Sequence, residues 1–361
     1  MSTMALNCEI KTVDQMTRQE CDYWQGFQRV NPELASPYFD LGYARILAGL
    51  RADTRLAVLY QNGTPAAFLP FHASRFGFAR PLSGPMGDHH GLICEPFTRT
   101  NGALRKGLPS FTYHGALASQ ALFHDKAQQR QPSWVVDLSA GYDAYLDDRR
   151  KADAKAMRNI RSRQRKLNEG DFNIVYRLDD TRPDALAHTL AVKRAQYAQT
   201  RATDVFTAQW SNQLVETLFA TDGSGLRGRL STVEVDGQII AAHFGMQNRD
   251  ILHYWFPVYD PAWSKFGPGL TLFLEIARQL AEEGVSAIHL GPGDMDFKKR
   301  LANTHFDVVS GRWFASSLTA AVVRTGELID TTARALPLGP ASHWPGKAFR
   351  RLGKMSAVHG F

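Results

Sequence analysis

Residues 251–301 read ILHYWFPVYDPAWSKFGPGLTLFLEIARQLAEEGVSAIHLGPGDMDFKKRL, and the fold is decided in this stretch. Ile251–Tyr259 is a run of aromatic and aliphatic residues that predicts a buried strand. Asp260–Gly269 carries two prolines and two glycines and predicts a loop. Leu270, Phe273, Leu274, Ala277, Leu280 and Ala281 then fall on one stripe, so Leu270–Glu283 is expected to be helical, with Gly284 as its C-terminal stop. Val285–Leu290 is a second apolar strand. Strand, helix and strand in this order imply a right-handed parallel crossover. Gly291-Pro292-Gly293 breaks the chain, and Asp296–Asn303 is expected to begin a last helix.

Upstream of this stretch the sequence reads as hairpins. Arg229–Val235 and Gln238–Gln247 flank Asp236-Gly237, a two-residue turn signal. Thr54–Tyr60 and Pro65–His72 flank Asn62-Gly63 in the same way. The two hairpins superpose without a gap: RLAVLYQNGTPAA from Arg55 over RLSTVEVDGQIIAA from Arg229, with matches at Arg55/Arg229, Leu56/Leu230, Gly63/Gly237 and Ala67/Ala241. Any two hairpins share some letters by chance. The other reading is an internal duplication, two copies of one α+β unit.

Composition narrows the class. The chain has 361 residues, enough for two domains with ordinary cores, and is 44% hydrophobic and 21% charged, as globular proteins are. No apolar run reaches the ~20 residues that span a bilayer, and MSTMALNCEIKTVDQ lacks the basic and apolar regions of a secretory signal. Three cysteines (Cys8, Cys21, Cys94) offer no disulfide framework and no zinc site. A cytoplasmic protein is expected. There are 42 Lys+Arg against 35 Asp+Glu, and the excess is concentrated. Arg149–Lys166 has nine basic residues and one acid, Asp153; after Asp330 there is no acid, while Arg334, Lys347, Arg350, Arg351 and Lys354 remain.

The order hairpin, third strand, glycine loop, helix, strand, loop, helix resembles the core of the GNAT acyltransferases. In that fold an Arg/Gln-x-x-Gly-x-Gly/Ala loop wraps the pyrophosphate of CoA. The same slot here is Ser264-Lys265-Phe266-Gly267-Pro268-Gly269, with the glycine spacing kept and Ser264 where the pattern has Arg/Gln. The slot is physically suited to an anion: backbone N–H groups at a helix start point outward and the helix dipole adds attraction. Glycines admit a close approach, Pro268 pre-sets the helix entry and Lys265 adds charge. Four segments, Leu82–Ile93 (LSGPMGDHHGLI), Lys151–Gly170, Tyr254–Leu270 and Gly291–Leu301, further resemble the acetyltransferase family associated with bacterial cellulose and exopolysaccharide synthesis (the CelD/BcsL group). That family is similar in turn to the FemAB aminoacyltransferases.

The resemblance implies an α+β, tandem GNAT-like (FemAB-like) fold: two mixed β-sheets flanked by helices. It divides the chain into an N-terminal half (1–140), a C-terminal acyltransferase half (141–325) that includes a basic helix over 149–168, and a basic Pro/Gly-rich tail (326–361). The donor, acetyl-CoA or another acyl-CoA, is expected on Val258 and on Ser264, Lys265, Phe266, Gly267, Pro268, Gly269 and Leu270. Acyl transfer to an amine needs proximity, a base and an N–H to hold the oxyanion. Pro257 has no N–H, so Val258 or Tyr259 is the expected donor. His243, Asp294 and His253 are the base candidates; each residue type also serves plain structural roles, as a hydrogen-bonded histidine or a cap. Successive strand residues face opposite ways, so at most one of His253 and Tyr254 faces the cleft. Phe297 stands where the family has a tyrosine acid, leaving Tyr259 or water to protonate the thiolate. Lys298 matches the family lysine and is a candidate for an anionic group, or else a solvated charge. Asp88, His89 and Tyr254 are expected acceptor contacts. An adjacent His89-His90 pair lacks a third ligand, so no metal is expected.

The basic helix has three readings: a solvated face with an apolar stripe at Ala156, Ile160 and Leu167; a grip on an anionic acceptor through Arg158 and Arg161; or a phosphate-backbone contact. The absence of interleaved aromatics argues against nucleic acid. The tail could rest on an anionic inner membrane, bind a cyclic dinucleotide, or be an unstructured end. The expected activity is N-acylation of an amino sugar in an envelope polysaccharide or its lipid-linked precursor. A FemAB-like transferase using aminoacyl-tRNA and a catalytically silent binding module are the alternatives.

Overall fold

A computed structural model describes residues 6–314 except 75–77, 97, 99–100, 109 and 224. The expected tail at 326–361 lies outside the described residues. The chain forms two compact units.

Among the described residues, unit 1 holds 6–34, Leu41–Arg130 and 308–314. Its elements are β1 (Leu6–Lys11), α1 (Arg18–Val30), α2 (Leu41–Leu50), β2 (Thr54–Gln61), β3 (Thr64–Ala73), β4 (Ala79–Pro81), β5 (Ile93–Cys94), α3 (Asn101–Gly107), β6 (Ser110–Leu117) and α4 (Ala121–His124). It also takes the start of β7 (Ala127–Asp137) and most of β13 (Thr304–Phe314). The strand order is β1-β2-β3-β4-β6-β13, with β5 also on β3. Only the β4–β6 step is parallel. Leu59, Leu69, Phe111, Phe123 and Trp313 lie in its core.

Unit 2 holds Ala35–Asp40 and Gln131–Asp307. It contains the rest of β7, then α5 (Tyr142–Ala152), α6 (Ala154–Asn168), β8 (Ile174–Arg177), α7 (Pro183–Thr200), α8 (Gln209–Phe219), β9 (Arg227–Val235), β10 (Gln238–Gln247), β11 (Ile251–Tyr259), α9 (Pro268–Glu282), β12 (Ala287–Pro292) and α10 (Asp296–Leu301). The order is β7-β12-β11-β10-β9-β8, and only β11–β12 is parallel. The units therefore repeat one strand plan: hairpin, third strand, a parallel neighbour, an antiparallel last strand. Their bounds differ from the expected cut at 140, because β7 completes the sheet of unit 2 and β13 that of unit 1.

The duplication extends to the backbone. Asn62 and Gly63 have φ of 52° and 80°, Asp236 and Gly237 of 51° and 81°, both two-residue turns with two left-handed residues. Each hairpin also breaks register at the superposed step. Leu59 pairs with Ala67 and Tyr60 with Pro65; Val233 pairs with Ala241 and Glu234 with Ile239. Ala66 and Ile240 are the extra residues, one on each returning strand.

Three local expectations are revised. The basic helix is two helices, broken at Asp153 (φ −147°, ψ 79°), whose carboxylate caps α6 by accepting the Ala156 N–H at 2.8 Å. The loop at 260–269 is ordered: Asp260 accepts the Ala262 N–H at 2.9 Å and starts a 3-10 turn over Pro261–Phe266, and α9 begins at Pro268. The last helix stops at Leu301, because the Asn303 side chain is spent on the backbone of Asp137 (2.7 and 3.2 Å).

Candidate functional site

The site of unit 2 starts from a parallel pair that comes apart. β11 and β12 are paired at Ile251↔Ala287, Leu252↔Ile288 and His253↔His289 only. β11 then runs on to Tyr259 and β12 to Pro292 without further pairing between them. The two strands thus enclose a wedge that opens toward their C-terminal ends, the usual place for a ligand in a sheet with a parallel crossover. On its other side β11 is irregular: Tyr254 and Trp255 lie opposite the single residue Gly245 of β10. Such a bulge re-aims the side chains around it.

Backbone directions along β11 follow from one bond. The Asp260 N–H is donated to Ile240 O at 2.9 Å, toward β10. Strand amides alternate, so the Val258 N–H also points to β10, and that of Tyr259 and the Pro257 carbonyl point to the wedge. Of the two expected oxyanion donors, this favours Tyr259 and removes Val258. Val258 is buried, Tyr259 45% exposed.

The glycine loop sits at the mouth. Gly267 is left-handed (φ 61°) and donates its N–H to Ser264 O at 3.1 Å. Pro268 is the first residue of α9, and Gly269 brings the first N–H of the helix. Leu270 and Thr271 return their N–H groups to Gly267 O (3.0 and 3.1 Å). Ser264 and Lys265 are exposed, and Phe266 packs edge-on against Phe172. The side chain nearest Gly267 comes from α6: a Cβ there would meet Arg163 Cδ at 3.2 Å and Nη1 at 3.4 Å. Met157, Ile160 and Leu167 bury the apolar stripe of α6 in the core with Leu272, Phe273 and Ile276 of α9, and Gln164 bonds Glu275 at 3.0 Å. The basic helix therefore belongs to the glycine loop. Arg158 and Arg161, expected to grip an acceptor, are exposed elsewhere on α6.

The base candidates separate. His243 is fully buried, stacked on Tyr254 with ring centroids 3.8 Å apart, and neither ring nitrogen has a partner. Burial, with the nearby His253, Arg229 and Lys193, holds it well below the ordinary histidine range. It is a neutral, sequestered ring, and the expectation of a base there is corrected. His253 is also buried, edge-on to Tyr38 (4.9 Å). Tyr254 packs on Phe273 and is buried, its hydroxyl pushed far up by desolvation. Asp294, just beyond β12, is exposed and paired with Lys299. Lys298 is not a solvated charge: it is 6% exposed and donates to Pro292 O at 2.7 Å. Phe297 is half-buried against the core.

One residue went unmarked in the sequence. Lys193 of α7 is half-buried and donates to Pro257 O at 3.2 Å, on the wedge side of β11. Burial and the charge of Lys298 push it down to about 8. Its partner is 64 residues away, so nothing near it in the sequence could have flagged it. Among the described residues no group of three or more His, Cys, Asp or Glu is arranged to hold a metal.

Asp88 and His89 lie in unit 1. There the third strand is not continuous: β4 and β5 are separated by residues 82–92. His90 N donates to Gly115 O (2.7 Å) and Leu117 N to His90 O (3.0 Å). Gly115 (φ 64°) has to be glycine, since a Cβ would overlap the Asp88 carbonyl. The gap beside β6 that corresponds to the wedge of unit 2 is thus filled by the chain itself, and His89 is buried in it. The helix α3 that follows is seven residues long against fifteen for α9.

Residues 154–299 match the family model described as the acetyltransferase (GNAT) domain. The segment contains the bulge, the wedge, the glycine loop, Lys193 and Lys298, and it makes the chain an acyltransferase. No curated protein matches the chain in sequence. Among solved structures, FemX is similar over 74% of this chain and 90% of its own, at 9% identity and a TM-score of 0.51; this likeness shows the fold. A tandem GNAT protein from the clavulanic acid biosynthesis pathway is similar over 86% and 99% (12% identity, TM-score 0.47). L-PGS from Bacillus licheniformis is similar over 84% and 94% (12% identity, TM-score 0.44). No helix among the described residues is long and apolar enough to cross a membrane.

Proposed function

We propose that unit 2 transfers an acyl group, acetyl in the simplest case, from acyl-CoA to the amine of an amino sugar in an envelope polysaccharide or its lipid-linked precursor. The observation that carries this reading is the parting of β11 and β12 after His253 and His289, with Gly267-Pro268-Gly269 opening α9 at the same end. The acceptor class rests on the resemblance of the four sequence segments.

In this reading the pyrophosphate sits on the first turn of α9, where the dipole and the Gly269 N–H favour an anion. Ser264 supplies no charge, and Arg163 from α6 takes the place of the missing cation. The acyl arm enters the wedge along β11, where the Tyr259 N–H can hold the carbonyl oxygen as charge develops on it. Attack needs a neutral amine. Asp294, at the end of β12, is the carboxylate placed to take its proton, directly or through water. The amine nitrogen bonds to the thioester carbon, the C–S bond breaks as the nitrogen gives up its second proton, and the thiolate takes up that proton by way of Tyr259 or water.

Calorimetry and thermal shift with acetyl-CoA and CoA test the donor. Ligand at ~100 times Kd should stabilise the protein by about 2.7 kcal/mol. Gly269→Glu is the discriminating variant. Glutamate is favourable in the first turn of a helix, and the position has only Tyr259 Cδ1 at 3.9 Å to accommodate, so folding should be kept while the added carboxylate repels the pyrophosphate. Arg163→Ala should weaken binding about tenfold, or ~1.4 kcal/mol. No binding of any CoA species would remove this reading and leave aminoacyl-tRNA as the donor to test.

A further inference from the structure

Unit 2 keeps an amine of its own in the wedge. Lys193 lies on α7, and its Nζ donates to Pro257 O on β11 at 3.2 Å. The ring of Tyr197, one turn along the same helix, flanks it, with Nζ 5.4 Å from the ring centroid. The head group is thus fixed between a carbonyl and an aromatic face. It is half-buried, and no carboxylate among the described residues pairs with it. A lysine kept from water in this way gives up its proton readily; burial is the main cause that pushes this one down to about 8. The Pro257 carbonyl that holds Nζ and the N–H of Tyr259 leave β11 on the same side, toward the wedge. They are two residues apart, at most ~6.8 Å along the strand. A carbonyl seated on the Tyr259 N–H therefore meets the stretch of backbone that also holds the Lys193 nitrogen. An amine that deprotonates easily, fixed beside an oxyanion donor, is what acyl transfer asks of an acceptor.

We propose that Lys193 is a self-acylation site: with acyl-CoA bound and no other amine in the wedge, unit 2 transfers the acyl group to Lys193 Nζ. The proposal rests on the acyltransferase reading and adds a modification site to it. The ammonium first releases one proton to water. The neutral Nζ bonds to the thioester carbon while the Tyr259 N–H holds the carbonyl oxygen. The C–S bond breaks as Nζ gives up a second proton, which passes through water to the thiolate. The products are an Nε-acyl-lysine and the CoA thiol. An amide is a far poorer acyl donor than a thioester, so the group stays where it is made. Lys193 then carries no charge, and the reaction ends after a single transfer.

The test is to incubate the full chain with acetyl-CoA and no acceptor, and to read each lysine by peptide mass spectrometry. Lys193 should take up acetyl about a hundredfold or more faster than the exposed Lys151 and Lys166. Its rate should saturate with acetyl-CoA and fall when excess free CoA competes. Labelling of Lys151 and Lys166 should instead rise in proportion to acetyl-CoA and ignore free CoA. Release of CoA thiol should show a burst that stops at about one equivalent per chain. Lys193→Arg, whose guanidinium keeps the charge but stays protonated, should lose the burst and keep the slow labelling elsewhere. Gly269→Glu should lose the fast reaction too; if either variant does not fold, the competition by free CoA in the wild-type protein carries the same information. Labelling of Lys193 no faster than that of Lys151 and Lys166, in a protein that calorimetry shows to bind acetyl-CoA, would overturn the proposal and leave the acyl-CoA reading standing. No binding of any CoA species would instead remove the donor, and both readings with it.

Discussion

Arg229 shows how a matched letter in a repeat can do different work in each copy. Its guanidinium is 1% exposed and is clamped by Glu283 (Nη1–Oε2 2.5 Å, Nη2–Oε1 2.9 Å), by Leu178 O at 2.9 Å and by Gln247 Oε1 at 3.2 Å. The pair ties the edge of the β9–β10 hairpin to the C-terminal turn of α9, and Arg229 holds the Glu283 carboxyl below its usual range. Arg55, its counterpart in the first hairpin, bonds only the nearby carbonyls of Ala52 and Thr54 (2.8 and 2.7 Å). Breaking a buried pair costs ~3–5 kcal/mol when the survivor stays buried. Glu283 is partly exposed and can rehydrate, so Arg229→Met should cost about 2–3 kcal/mol, whereas Arg55→Met should cost under ~0.5 kcal/mol. Urea midpoints of the two variants decide the matter, and equal midpoints would refute this account.

At the scale of elements, the hairpins make a sharper claim about duplication than their shared letters do. The turns have φ values within two degrees of each other, and a Cβ on Gly63 or Gly237 would touch nothing within 4 Å. Gly63→Ala and Gly237→Ala should therefore destabilise equally, by about 1–2 kcal/mol, because both are charged only for the left-handed backbone. Thermal unfolding of both variants in one buffer tests this; a difference above ~1 kcal/mol would show unequal surroundings. These turns, the strands around them and the crossover of β11, α9 and β12 were legible because each is written in contiguous residues: Asn62-Gly63, Asp236-Gly237, the apolar stripe from Leu270. What depended on distant partners was not legible. The wedge exists because β12 leaves β11 after His289, a matter of where α9 sets the strand down. His243 reads as a base by residue type, whereas in space Tyr254 is stacked over it. The charge of α6 pointed to an acceptor, yet the apolar stripe of the same helix turns Arg163 toward Gly267. Lys193 gave no local signal at all. Leu82–Ile93 carried a family-like motif, but in space its Asp88–His90 segment fills the gap beside β6.

Over the whole molecule, both units bury histidines, and this fixes how stability responds to acid. In unit 1 burial pushes His72 down to about 4 and His90 to about 3; in unit 2 it pushes His289 to about 3 and holds His243 well below its ordinary value. In the unfolded chain these rings titrate near 6.5. Between that value and the folded values the unfolded state holds a proton that the folded state refuses, so stability falls as pH drops through this window. Each ring contributes up to about 1.4 kcal/mol per pH unit there. Carboxylates held low, such as Asp53 by His72 and Arg51 and Glu283 by Arg229, begin to cost stability only as pH falls through about 4, so histidines alone act between pH 6.5 and about 4.5. Lys193 works at the other end: with its folded value near 8 against 10.4 unfolded, raising the pH across that interval stabilises unit 2. Urea midpoints should thus be level near pH 7, fall steeply from pH 6.5 to 5, and rise modestly above pH 8 unless Lys193 is replaced by Met. His90→Phe keeps a ring stacked on Phe111 and should remove about one proton from the acid slope of unit 1. A stability profile that stayed flat from pH 7 to 5 would mean that these histidines reach water before the units unfold.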